Sequence, residues 1–209
     1  FLTLQEGCVA GYPARVARVS YTGELSFEIN VRRRDGLALW KALMAAGEPM
    51  DITPVGSETS GVLRIEKGYV SVGSEGDNIT NPFDAGMGWV VDMEKTDFIG
   101  KRSLVRDLAV GGQRQQVVGL LPSDKRFVMV EGSAIIEPTR DLEELPIFLG
   151  HVTASCYSPN LERSIALALL KNGRGCYGRT VTVSGLERTV EATVTHPVFI
   201  DVKGQRMRS

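Results

Sequence analysis

The chain has 209 residues, 43% hydrophobic and 23% charged, with a formal net charge of -1. That composition suits one large globular domain or two small ones, and the near-neutral charge gives no electrostatic basis for binding nucleic acid or an anionic membrane surface. The longest apolar run, Ile165 to Leu170, is the length of a strand and far short of the roughly 20 residues that cross a bilayer.

In chain order, Ala14 to Tyr21 reads as a strand rich in valine. The next segment alternates, with Leu25, Phe27, Ile29 and Val31 on one face and Glu24, Ser26, Glu28 and Asn30 on the other. Alternation with period two is a strand signal, so a hairpin turning near Thr22-Gly23 is expected. Asp35 is placed to cap a helix whose apolar stripe is Leu37, Trp40, Leu43 and Met44, stopped by Gly47 and Pro49. A second helix is expected from Ser57 to Lys67, ending at Gly68. Residues 73–82 are rich in turn formers, Gly86, Gly88 and Trp89 lead into a short strand, and Asp97 to Leu108 reads as a third helix.

Gly111-Gly112 marks a change of pattern. Beyond it come short runs of β-branched and aliphatic residues: Gln116–Leu121, Ser133–Glu137, Phe148–Ala154, Ser164–Leu170, Thr180–Val183 and Thr189–Thr195. Runs of this kind between turns predict a small β-barrel or sandwich. The fold class is therefore α+β followed by all-β, with one domain over 1–110 and a second over 113–209.

Three cysteines (Cys8, Cys156, Cys176) are widely spaced without a CxxC pair, and the two histidines are His151 and His196. This argues against a disulfide framework or a zinc centre and favours a reducing, cytoplasmic setting. The chain contains no GxxxxGK[ST], no HExxH and no GxSxG string. Gly56 to Gly61 is flanked by glycine but lacks the phosphate-loop lysine, and reads as a turn entering a helix.

Glu28 stands out. A carboxylate on a sheet face can receive two adjacent N–H donors of a flat heterocycle, as it does from arginine, although the same pattern fits an ordinary solvated face. Tyr21 and Tyr69 are placed to stack on such a ring or to cap it. Arg64, beside Glu66 on the second helix, can fork onto a carboxylate of ligand or protein.

Four strings resemble the aminomethyltransferase (glycine cleavage T-protein) superfamily. Tyr21 to Ile29 is similar to its YTGExxFEI, Leu63 to Tyr69 to its LRLEAGY, Asp97 to Lys101 to its DFIGK, and Gly150 to Ser155 with Ser158-Pro159 to the G-x-VTS...SP of its C-terminal barrel. They occur in order over nearly the whole chain. Within the superfamily, Glu66-Lys67-Gly68-Tyr69, the run Asp97 to Leu104, and the ending from Ala192 to Asp201 resemble the alpha subunit of heterotetrameric sarcosine oxidases.

This resemblance implies a partial folate-binding α+β domain followed by a small C-terminal β-barrel. It implies tetrahydrofolate as co-substrate, with FAD, FMN and NAD held only in other parts of the parent enzyme, and other sarcosine oxidase subunits as partners. The parent activity it implies is capture of the methyl-derived carbon of sarcosine as 5,10-methylenetetrahydrofolate. Carried over by position, Glu28 holds the pterin, Tyr21 is the aromatic on the same strand, Tyr69 lines the folate pocket, and either Arg206 or Arg208 lies close to folate. Glu24 takes a turn role or a ligand contact.

Ser60 stands where the T-protein carries an arginine, which favours the oxidase branch over lipoyl-linked glycine cleavage. The string Lys67-Gly68-Tyr69-Val70 lacks the cysteine of folate-dependent iron–sulfur assembly proteins. The chain is expected to be a fragment with the family's catalytic aspartate upstream of Phe1, so no catalytic residue is assigned within it. A non-catalytic folate-binding or subunit-contact domain, and a glycine-cleavage aminomethyltransferase, are the alternatives.

Overall fold

Backbone pairing, with little side-chain burial, builds the first sheet. The computed structural model describes residues 1–110, 114–137, 145–185 and 188–208. Strands β1 (Thr3–Val9) and β2 (Tyr12–Arg18) form an antiparallel hairpin, and β3 (Glu28–Val31) pairs with the other edge of β2. The turn between β1 and β2 uses Ala10 (φ 49) and Gly11 (φ 84). Two positive φ angles in sequence are what a tight two-residue hairpin requires, because the turn must follow the twist of its strands.

The expected hairpin is the β2–β3 pair, whose register of Ala14 opposite Val31 and Ala17 opposite Glu28 centres on Thr22-Gly23; β1 is an added strand, in a stretch with no strand signal. The pattern from Leu25 to Phe27 does not form a ladder. Ser20 Oγ accepts the Gly23 N–H at 2.9 Å, and Ser26 Oγ donates to the Val19 carbonyl at 2.6 Å. Short polar side chains that bond locally to backbone compete with sheet pairing, and Leu25 and Phe27 are left exposed.

Helix α1 (Gly36–Gly47) follows. Its buried residues are Leu39 and Gly47, while Leu37 and Trp40 face solvent, so the expected stripe is rotated. Asp35 occupies the N-cap position without a side-chain capping bond. A Cβ on Gly47 would meet the Ile52 side chain at 2.6 Å, so Ile52 packs onto the bare glycine as the chain reverses. Helix α2 spans Ser57–Lys67, as its end signals indicate. Gly68 ends it at φ +68, where a Cβ would run into the Pro197 carbonyl. The expected strand after Gly86 is instead a 3-10 turn, Gly88–Val90, with the Phe83 ring against Gly88. Helix α3 covers Lys101–Val110 and starts after a glycine turn at Gly100 (φ 94).

The later runs form β4 (Gln115–Pro122), β5 (Ala134–Glu137), β6 (Ile147–Ser158), β7 (Arg163–Lys171), β8 (Thr180–Ser184) and β9 (Thr189–Thr195). They close into a barrel in the order β4-β7-β6-β5-β8-β9. Each strand gives alternate residues to one interior cluster, among them Val118, Ile135, Val152, Ala168, Val183 and Val194. β7 is buried on both faces. Ala166, Ala168 and Leu170 point inward, while Ile165 and Leu167 pack with Ala154 and Ile65 outside. That double burial explains why β7 reads as a continuous apolar run.

The chain divides into two compact units, residues 1–64 with the segment from Asp201, and residues 65–200. The Gly111-Gly112 junction lies outside the described residues. In the second unit, buried carboxylates tie residues 66–84 to the barrel. Glu66 accepts from Ser158 Oγ and, at 2.9 Å, from Asn160 Nδ2, and its carbonyl accepts the Phe199 and Ile200 N–H groups. Glu75 accepts from Thr153 Oγ1 at 2.7 Å and from the Ser71 N–H at 2.9 Å. Asp84 pairs with Arg114 at 2.6 Å, and its carbonyl accepts the Val117 N–H.

Removing Glu66 leaves the fully buried Ser158 hydroxyl without its acceptor. An unsatisfied buried donor costs about 1–3 kcal/mol, so Glu66→Ala is expected to lower unfolding free energy in urea by about that amount. Glu66→Gln, which keeps an acceptor oxygen, is expected to recover most of it. An unchanged midpoint for Glu66→Ala would remove this bond from the account.

Asp124 is a pH marker for the barrel. The backbone N–H of Arg126 at 2.9 Å, then the Arg188 guanidinium at 2.8 Å, hold its carboxyl below the ordinary value. A carboxyl lowered by folding stabilises the fold above its unfolded pKa, and that contribution is lost as pH falls through the folded value. Asp124→Asn is expected to flatten the acid limb of a stability–pH curve slightly, because the group is exposed. A steeper limb in the variant would contradict the assignment.

Candidate functional site

The sequence-derived residues fall into both units. In the first are Tyr21, Glu24, Glu28, Arg64, Arg206 and Arg208, and in the second is Tyr69. Glu28 opens β3 opposite Ala17 of β2 and is not mid-strand. It and Asn30 are exposed while Ile29 and Val31 are half-buried, so the polar face is where the alternation puts it. Its Oε1 accepts from Asn30 Nδ2 at 3.2 Å. Among the described residues it has no ion-pair partner, which leaves the outer side of the carboxylate open.

Tyr21 lies in the bend between β2 and β3 and is half-exposed. In the same connection, Glu24 Oε1 forms an ion pair with Arg206 Nη1 at 2.8 Å. Arg206 stands in a single 3-10 turn, Arg206–Arg208, which is held from below by Asp201. The Asp201 carboxylate accepts the Gln205 N–H at 2.9 Å and the Arg206 N–H at 3.1 Å. Thus the structure joins Arg206 to the Tyr21–Glu28 connection, and Arg208 is exposed. Arg64 is buried near the end of α2. Tyr69 is half-buried just after the Gly68 turn, which is fixed by the Pro197 backbone and by the Glu66 carbonyl bonds described above.

Of two hollows among the described residues, neither is lined by these side chains. One, of about 500 Å³, lies between the end of α1 and residues Asp51–Thr53. The other, of about 670 Å³, opens at one barrel end among Ile136, Leu149, Leu170, Lys171, Cys176 and Arg179. The chemistry-bearing carboxylate thus lies on an open sheet face. Residue types and spacing did not single out the clamp of Glu66 by Ser158 and Asn160, because those partners are 92 and 94 positions away. The only local hint was a glutamate next to the helix end. Among the described residues, no group of three His, Cys, Asp or Glu side chains is placed to hold a metal, and no helix is long and apolar enough to cross a membrane.

Two family models match in sequence order. The "GCVT N-terminal domain" matches residues 1–95 and the "Glycine cleavage T-protein C-terminal barrel domain" matches residues 115–201. The sarcosine oxidase subunit alpha of Corynebacterium sp. (strain P-1) is 38% identical over 208 residues, which is 99% of this chain and 21% of that protein. The aminomethyltransferase of Halothermothrix orenii is 30% identical over 200 residues, 96% of this chain and 54% of that protein. The crystal structure of the glycine cleavage system aminomethyltransferase T from Bartonella henselae superposes with a TM-score of 0.75 at 24% identity, covering 90% of this chain and 50% of that one. The chain therefore spans about a fifth of the length of the sarcosine oxidase alpha subunit it matches, and about half of the aminomethyltransferase.

Proposed function

The chain belongs to the glycine cleavage T-protein family, and from that premise we propose that it is the folate-positioning module of a one-carbon-transferring amine oxidase of the sarcosine oxidase alpha type. The observation that carries the folate reading is Glu28, an exposed carboxylate on a sheet face with an open outer side. Two syn lone pairs facing adjacent N–H donors of a pterin make paired, charge-assisted hydrogen bonds. Tyr21 in the neighbouring bend supplies an aromatic face, and Arg206 supplies a cation within the same unit.

Tetrahydrofolate, when bound, supplies the nucleophilic amine that takes up a one-carbon unit. This chain's residues bind and orient. Holding two reactants in attacking geometry replaces a bimolecular encounter and supplies much of the rate. Ser60 in place of arginine, together with a match to the sarcosine oxidase subunit that runs over 99% of this chain, favours the oxidase branch as parent. Further subunits of such an enzyme are the proposed partners.

Calorimetric titration with tetrahydrofolate, or with the stable 5-formyl analogue, tests the reading. Saturable binding at one site per chain is the expected result. Absence of binding by both the chain and its full-length parent would reject it. Sarcosine turnover by the parent, with and without tetrahydrofolate, then separates an oxidase module from a plain folate carrier.

A further inference from the structure

The ion pair between Glu24 and Arg206 joins residues 182 positions apart in sequence. Both side chains are about half exposed, and an exposed pair of this kind contributes little to stability. What it does supply is orientation. Each end is already shaped without it. The connection carrying Glu24 is fixed by the Ser20–Gly23 and Ser26–Val19 bonds. The turn carrying Arg206 is fixed by the Asp201 carboxylate and by the bond from the Gly204 N–H to the Asp201 carbonyl. The pair is made between two preformed backbones, through Nη1 and Oε1.

We propose that Glu24 is a positioning residue, whose carboxylate holds Arg206 beside the Tyr21–Glu28 connection so that the guanidinium meets the carboxylates of a folate's glutamate tail. This rests on the folate reading above. A guanidinium is planar, with donors along several edges, so it can keep one carboxylate while receiving another. Fixing its plane beforehand removes rotamer entropy that a ligand would otherwise have to overcome. The reach is suitable too. Glu24 is four residues from Glu28, at most about 14 Å along extended chain, which an aminobenzoylglutamate side chain leaving a pterin at Glu28 can span. Glu24 itself repels the tail, so its proposed role is to aim Arg206 without touching the ligand.

The experiment compares wild type, Glu24→Gln and Arg206→Gln, with two probes and one ligand-free readout. The probes are 5-formyltetrahydrofolate and 6-methyltetrahydropterin, which has no tail. Glu24→Gln is expected to weaken the folate by about tenfold, the scale of one charge-assisted hydrogen bond, and to leave the pterin unchanged. Arg206→Gln is expected to do the same, and combining the two to add little. Without ligand, Glu24→Gln is expected to speed hydrogen exchange of backbone amides in residues 201–208 but not in the barrel. Equal loss for both probes would overturn the proposal by assigning Glu24 to the pterin end. Unchanged exchange together with unchanged folate affinity would overturn it by showing that the pair orients nothing. If neither the wild-type chain nor its full-length parent binds either probe, the folate reading fails and this inference falls with it. If the wild type binds both and Glu24→Gln binds like wild type, only the inference falls.

Discussion

Gly150→Ala is expected to prevent the barrel from closing, or to cost on the order of 3 kcal/mol or more, at the upper end of what overpacking and steric strain cause. Gly150 sits in β6 between Ile135 of β5 and Leu170 of β7. A methyl group there would overlap the Leu169 carbonyl oxygen and crowd the Leu170 Cα. Both obstacles are backbone, and β7 cannot retreat because it is hydrogen-bonded to β4 on its other side. The ladders shift register close by, at Ile135/Ile136 and at Val152/Ala154. The strand bends around this glycine. Thermal and urea unfolding measure the loss. Gly7→Ala is the control, because nothing lies within 4 Å of a Cβ there, and it is expected to be near neutral. A loss below about 1 kcal/mol for Gly150→Ala would mean that β7 yields and that the close approach is not required.

Glu28→Ala is expected to abolish measurable folate binding while leaving the melting temperature unchanged. The side chain is exposed and, among the described residues, bonds only to Asn30. Surface changes of that kind shift stability within about 0.5 kcal/mol. A hydrogen bond to a charged group is worth about 1.5–3 kcal/mol, so losing a paired contact lowers affinity by at least about tenfold and by more in a desolvated site. Glu28→Gln, which keeps one acceptor but adds a donor facing the ligand's donors, is expected to recover little. Parallel loss of melting temperature and of binding would assign Glu28 a structural role and remove the main support for the folate reading.

The barrel was the legible half of this fold. Its strands bury a full interior face, so valine, isoleucine and alanine recur at each of them, and turns interrupt the runs where the chain must reverse. Helix α2 was legible at both ends for a similar reason, since Gly68 is required where the backbone turns left-handed against Pro197. The first unit was harder to read. β1 carries Gln5, Glu6 and Gly7 and is exposed on nearly every residue, so backbone pairing alone defines it and no side-chain pattern announces it. Residues 25–27 show the converse, with alternation but no ladder, because Ser20 and Ser26 bond locally. In α1 the choice of Leu39 over Leu37 as the buried residue depends on what packs there, which spacing does not reveal.

The candidate site divided in the same way. Glu28 was readable because a carboxylate at the exposed phase of a strand is a local feature. The pairing of Glu24 with Arg206 was not readable, because it depends on a return of the chain after the whole barrel has been laid down. The Glu66 clamp was hidden for the same reason of distance along the chain.

That return has a consequence for how the protein is made. Residues 1–64 share a unit with the segment from Asp201, and the residues between them form the other unit. A ribosome releases the first strands and α1 early, but the segment that completes their unit emerges only after all the barrel strands. Domains made in simple succession fold from the N-terminus onward. Here the order is nested: the later-made barrel can finish first, while the connection that carries Glu24 waits for Arg206. Through the interval between the two releases, that connection is shaped by its local serine bonds alone, without the ion pair that later ties it to the far end of the chain.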